Sequence, residues 1–199
     1  VGEMLFLGAR TMGWTLPVEA ATCLYVAIIT DTGRFTFSNA HPSTFRAAAD
    51  LIESGVDAPW TCEQLYQREA PERMRLHAEA AAGMRFECNG RLATMCVSRE
   101  MLRRNGVDPI DAQELADLPR SVAGVDVGAL MMETPEGKTK ISLRARHGVN
   151  VEPVARHFGG GGHRAAAGAT LDMGLDAARD AVAARVREQL NTPCDEAAS

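Results

Sequence analysis

The chain has no apolar run near the roughly 18 residues that a membrane-spanning helix needs, so no membrane partner is expected. It also lacks a Cys-x-x-Cys pair. Its five cysteines (Cys23, Cys62, Cys88, Cys96 and Cys194) are odd in number and scattered. That usage argues against zinc and for reduced thiols in a cytoplasmic protein. A basic excess is missing too. The net charge of −5 argues against non-specific binding of long duplex DNA, which needs a broad positive surface. No signal sequence opens the chain, and its first residue is Val1 rather than Met, from which we expect a mature or cut fragment. What is present is ordinary. With 46% apolar and 24% charged residues over 199 positions, it reads as a soluble globular protein of one large domain or two small ones.

One stretch stands out against this background. Phe158 is followed by four glycines, Gly159 to Gly162, and then by His163-Arg164-Ala165-Ala166-Ala167-Gly168. Glycine permits positive φ and close approach of the backbone to a ligand. Successive N–H groups in a loop make a concave anion site. A glycine run alone also suits a flexible linker, but this one has patterned flanks. Upstream, Val151, Val154, Ala155 and Phe158 fall on one helical face, with Asn150 placed to start the helix and Gly159 to stop it. Downstream, Ala167 to Leu171 reads as a short buried strand. From Arg144 to Arg164 there are four arginines and three histidines against Glu152 alone. That local excess fits a small anionic ligand or a short strand of nucleic acid.

Earlier in the chain, residues 1–13 read as a helix ended by Gly13, and Val18 to Leu24 continues helical. Leu24 to Ile29 is a near-continuous apolar run, a strand or a helix buried on all sides. It ends at Thr30-Asp31-Thr32-Gly33. Beyond the carboxyl end of a strand in an open α/β sheet, a carboxylate such as Asp31 meets ligands. It is placed to bind a hard metal ion or a substrate hydroxyl. A turn Asp that bonds its own backbone is the other reading, and spacing leaves both open. No second acidic cluster lies near it, whereas a metal pair needs several ligands. Phe35 and Phe37 alternate with polar residues as in a short strand. Pro42, Pro59 and Pro71 each suit the first turn of a helix, and we take the third helix, ending at Gly83, as a connector. His41 and His77 lack ligand-spaced partners and read as surface or packing residues.

From Met84 the pattern turns to strands. Asn89-Gly90 between Arg85–Cys88 and Leu92–Val97 is a hairpin signal. Short helices follow at residues 99–105 and 111–117, and a strand at 125–132. In the strand of residues 138–146, Ile141, Leu143 and Ala145 alternate with Ser142, Arg144 and Arg146, which period two puts on one face. This is a solvated face, or a set of donors directed at the glycine run's ligand, with Arg144 gripping a phosphate in bidentate fashion. An amphipathic helix carries Leu175, Ala178, Val182, Val186 and Leu190, and the tail beyond Asn191 reads as disordered.

These residues resemble the DHH superfamily of phosphoesterases. Gly160-Gly161-Gly162-His163 with Ala166-Ala167-Gly168 matches the signature of the DHH-associated C-terminal domain. The Ser142-x-Arg144 strand, the Leu118-Pro119-Arg120-Ser121 turn and the Gly124-Val125 step sit where that family has them. Ile29-Thr30-Asp31-Thr32-Gly33, with Phe35 and Ser38-Asn39, is similar to the last metal-binding motif of the family's catalytic domain. The likeness runs from about residue 1 to 190. It is nearest to bifunctional oligoribonucleases that also dephosphorylate pAp (the nano-RNase A type), some of whose relatives hydrolyse cyclic di-AMP or pApA. A single-strand exonuclease of the RecJ type shares the motifs, and a non-catalytic nucleotide-binding module is the reading from another class.

The resemblance implies an α/β fold. Residues 1–70 would be the C-terminal part of a parallel-sheet catalytic domain, 71–83 a helical linker, and 84–199 a smaller mixed-sheet substrate-binding domain. It implies two-manganese hydrolysis, with Asp31 as a manganese ligand. Ser142, Arg144, Gly160, Gly161, Gly162 and His163 would hold the phosphate and base of a short nucleotide with a 5′-phosphate. The Asp-His-His motif that names the superfamily is absent from the sequence. We therefore expect it upstream of Val1, and expect the 199 residues alone to be inactive or nearly so. Cut from its sheet, the first part should expose apolar surface and self-associate, a homodimer being the simplest outcome.

Overall fold

A computed structural model describes residues 1–146 and 148–191. His147, the tail after Asn191 and Cys194 lie outside the described residues. The chain divides into two units, Val1–Glu69 and the remainder from Ala70.

The first unit is helical: α1 (Gly2–Thr11), α2 (Val18–Asp31), α3 (Pro42–Glu53) and α4 (Ala58–Tyr66). The sequence starts these helices by local means. Pro42 opens α3, where His41 and Thr44 form a reciprocal cap. The Asp57 carboxylate accepts the Trp60 N–H at 3.0 Å at the head of α4, satisfying one of the donors that a helix start leaves unpaired. Phe6, Tyr25, Ile28, Ile29, Leu51 and Val56 form the core. A Cβ on Gly2 would come within 2.9 Å of the Ala27 methyl, so glycine lets α1 lie close on α2.

One alternative is decided here and one expectation changes. Of the two readings of Leu24–Ile29 the helix is the one found, as the second half of α2, and the first unit contains no strand among its described residues. Helical spacing buries Ala21, Tyr25 and Ile28 on one side, and that packing overrides the β-branched composition. The Phe35–Phe37 segment is a series of turns. Arg34 and Phe35 hold φ of 59° and 61°, which a strand cannot contain, and Phe35 stacks on Phe45 with centroids 4.9 Å apart.

The second unit is a mixed α/β fold around one six-stranded sheet. Its strands are β1 (Arg85–Glu87), β2 (Leu92–Val97), β3 (Val127–Glu133), β4 (Thr139–Ala145), β5 (Gly161–His163) and β6 (Ala166–Leu171). Their order is β1-β2-β3-β4-β6-β5. β2 and β3 run parallel and every other pair is antiparallel. The Asn89-Gly90 turn closes β1 on β2, with Cys88, Asn89 and Gly90 all at positive φ. The parallel pair needs a crossover. It is supplied by α6 (Arg99–Asn105) and two 3-10 helices, Asp111–Asp117 and Pro119–Ser121.

One sheet face is covered over β2, β3, β4 and β6. Leu92, Val127, Met131, Ile141, Leu143 and Leu171 pack against α7 (Glu152–His157) and α8 (Leu175–Asn191) through Val154, Ala155, Val182 and Val186. The opposite face is covered over β2 and β3. There Met95, Val97, Leu130 and Met132 meet Leu102, Leu115 and the buried Leu76 and Ala80 of α5 (Pro71–Ala82). The helix expected as a connector thus contributes to this core. No described helix is long and apolar enough to cross a membrane.

Candidate functional site

The second face of the sheet is left open over β4, β6 and β5. Period two puts Lys140, Ser142 and Arg144 of β4 there, and each is half-buried. The register sets Thr170, Gly168 and Ala166 of β6 opposite them in that order. Gly161 then lies opposite Gly168, and His163 opposite Ala166. A groove of about 410 Å³ results, lined by Lys140, Ser142, Arg144, Gly161, Gly162 and Gly168 among others. Its floor is flat because glycine and alanine occupy the positions where larger side chains would stand.

The glycine run is built differently from the expected loop. Gly159, at φ 75°, ends α7, but Gly161–His163 form an edge strand hydrogen-bonded to β6. Packing requires glycine at two of these positions. A Cβ on Gly160 would lie 2.1 Å from the Gly168 carbonyl oxygen, and one on Gly162 would lie 2.5 Å from that of Ala166. Gly161 is different: a Cβ there meets nothing within 4 Å, and its φ is not positive. The fold does not demand glycine at this position, and its bare backbone leaves the groove open there.

Charge in the groove is positive and held in place. The Arg144 Nε lies 3.6 Å from an Asp117 carboxylate oxygen, and its Nη1 donates to the Leu143 carbonyl at 3.1 Å. Asp117 also accepts from Arg120 Nη2 at 2.8 Å, so one carboxylate serves two guanidiniums. Lys140 Nζ donates to the neutral Gln113 Oε1 at 2.9 Å. The Ser142 hydroxyl makes no hydrogen bond among the described residues. Anionic oxygens placed here would meet charge-assisted donors, the stronger class of hydrogen bond.

Sequence reasoning placed other charges less well. β4 ends at Ala145, so Arg146 lies past the strand and is exposed. Arg164 donates twice to the Gly148 carbonyl, at 3.1 and 2.6 Å, and so ties down a loop. His163 is exposed at the groove's rim strand. Lys140 follows from the alternation running back from Ser142, and Thr170 lines the groove through its pairing with Lys140.

Asp31 belongs to the first unit, at the exposed C-terminus of α2 rather than beyond a strand. Its carbonyl accepts from Asn39 Nδ2 at 3.0 Å. Among the described residues no three His, Cys, Asp or Glu side chains are grouped as a metal centre would need. The described residues therefore do not fit a two-manganese site.

A second cleft of about 530 Å³ lies between α5, α6 and the start of α8, with Arg85, Cys96 and Arg179 in its wall. Burial pushes the Cys96 thiol up, opposed by the nearby Arg179. That is the wrong direction for a thiolate nucleophile.

The DHHA1 domain profile matches residues 89–191, more than half of the chain and the whole span that builds the groove. The chain belongs to the DHHA1 domain family. Curated relatives agree. The bifunctional oligoribonuclease and PAP phosphatase NrnA of Thermus thermophilus is 36% identical over 178 residues, covering 89% of this chain and 52% of that protein. The protein of the same description from Bacillus subtilis is 27% identical over 174 residues, covering 86% and 54%. The chain thus spans about half the length of the curated relatives it matches. Among solved structures, an exopolyphosphatase-related protein from Bacteroides fragilis superposes with a TM-score of 0.88 at 23% identity, covering 96% of this DHHA1 chain and 58% of its own. At that identity the likeness establishes the fold.

Proposed function

We propose that this DHHA1 chain is the nucleotide-binding part of a metal-dependent phosphodiesterase that degrades short oligoribonucleotides, pAp or pApA. The observation that carries the reading is the groove over β4, β6 and β5. It offers a flat, side-chain-free floor at Gly161 and Gly168, flanked by the Ser142 hydroxyl and the Arg144 guanidinium. In this reading Arg144 and Ser142 bind a phosphate, the glycines admit the sugar–phosphate chain, and His163 at the rim meets the base. The names of the NrnA relatives support the substrate class.

Hydrolysis does not follow from the residues described. Asp31 is the one member of the expected manganese set present, and it has no companions among them. We infer that these 199 residues bind nucleotide without cleaving it.

Calorimetric titration with pApA tests this. Arg144→Ala and His163→Ala should each weaken binding about ten-fold, or roughly 1.4 kcal/mol, and manganese should bring no release of AMP. Binding untouched by both changes would overturn the groove as the site. Cleavage at an ordinary enzymatic rate would overturn the division of labour.

A further inference from the structure

The groove holds two cations, and they are not equivalent. Arg144 shares the Asp117 carboxylate, whereas Lys140 has only the neutral Gln113 amide as partner and no carboxylate within 4.0 Å among the described residues. Lys140 is half-buried in the groove wall. Its charge is therefore the less compensated of the two, in a place where solvent screening is reduced.

The two are also held apart. They are four residues apart on β4, about 13 Å along a strand. Their tethers, Gln113 and Asp117, are four residues apart on the 3-10 helix beside it, about 8 Å by its rise. Anchored at separate points, the two cations are placed to meet different phosphate groups. The Arg144 end also holds Ala166, and the Lys140 end holds Thr170, exposed on the neighbouring strand.

We propose that Lys140, with the Thr170 hydroxyl beside it, forms a second phosphate subsite. This subsite makes the groove prefer a ligand with two phosphates on successive nucleosides over a mononucleotide. The inference rests on the groove being the nucleotide site and specifies the ligand it takes: a dinucleotide or longer, lying along β4 with one phosphate at Arg144 and the next at Lys140.

The full chain, titrated with 5′-AMP and with pApA, tests this beside Lys140→Gln, Thr170→Val and Arg144→Ala. Wild type should bind pApA more tightly than AMP. Lys140→Gln should weaken pApA about ten-fold and leave AMP unchanged. It should also lower the salt dependence of pApA binding by about 0.7 in the log–log slope, the value for one single-strand phosphate contact. Thr170→Val should act in the same direction, more weakly. Arg144→Ala should weaken both ligands. If Lys140→Gln weakens both ligands equally, or neither, the subsite is overturned while an effect of Arg144→Ala keeps the groove. If Arg144→Ala changes neither ligand, or pApA does not bind the wild-type chain, the groove itself falls and the subsite with it.

Discussion

Gly128 stands directly opposite Arg144 in the β3–β4 pairing, and the backbone of Arg120 rests on it. A Cβ at Gly128 would lie 2.6 Å from the Arg120 amide nitrogen. The close approach seats the Pro119–Ser121 helix on the sheet, and with it Asp117 beside Arg144. Gly128→Ala should therefore destabilise the second unit by about 1–3 kcal/mol, the usual cost of overpacking, and should weaken pApA binding through displacement of Asp117. Urea unfolding followed by circular dichroism, with calorimetry below the transition, measures both. A variant as stable as wild type would mean that the crossover is not held by this contact.

Neighbouring glycines of the rim strand should behave in opposite ways. Gly160→Ala drives a methyl into the Gly168 carbonyl and should cost about 1–3 kcal/mol of stability. Gly161→Ala meets only open space and should leave stability within about 0.5 kcal/mol, yet weaken pApA by about ten-fold. Unfolding midpoints paired with titrations separate the two. Full affinity in Gly161→Ala would show that no ligand approaches that backbone closely.

Acid should loosen the first unit through Glu3. Hydrogen bonds from Ser43 and Thr44 hold its carboxyl below the usual carboxylate range, and the Thr44 hydroxyl donates to it at 2.7 Å. A folded carboxyl that titrates lower than its unfolded counterpart adds stability above the unfolded value, about 4.3. That stability is lost as pH falls through the folded value. Glu3→Gln should be less stable than wild type at neutral pH, the difference vanishing on acidification. Both tryptophans, Trp14 and Trp60, lie in this unit, so their fluorescence during urea unfolding at several pH values reports it selectively.

Apolar surface on the first unit should drive self-association. Met4, Leu5, Met12 and Trp14 are 76%, 61%, 56% and 63% exposed, a concentration of large apolar side chains that isolated globular surfaces avoid. Sedimentation velocity should show the apparent mass rising with concentration, and a Met4→Lys, Leu5→Lys double variant should suppress the rise. A concentration-independent monomer would remove the expectation.

Much of the second unit was legible because its signals are local. The Asn89-Gly90 turn, the Ile141–Ala145 alternation and the Val151–Phe158 helical face each specify one element within a few residues. The first unit was less legible. Leu24 to Ile29 has no clear period, and β-branched residues in α2 mimic a strand until Tyr25 and Ile28 are seen to pack on α3. The glycine run read as a loop because glycine weakens strands. It pairs nonetheless, because β6 presents the small Ala167 and Gly168 against it. Ser142 and Arg144 share a groove, but the partner that orients Arg144, Asp117, comes from 27 residues upstream, and no spacing rule reaches it.

The parallel pairing of β2 and β3 has a consequence for how the groove comes into being. Parallel neighbours cannot be joined by a tight turn, so the chain must close a long excursion before β3 docks. That excursion carries Gln113 and Asp117. The hairpin of β1 and β2 can zip early from its own turn, but the cations of β4 acquire fixed positions only when this non-local closure is complete. Loop-closure entropy makes such contacts slow to form. The groove is thus among the last features that a refolding chain regains.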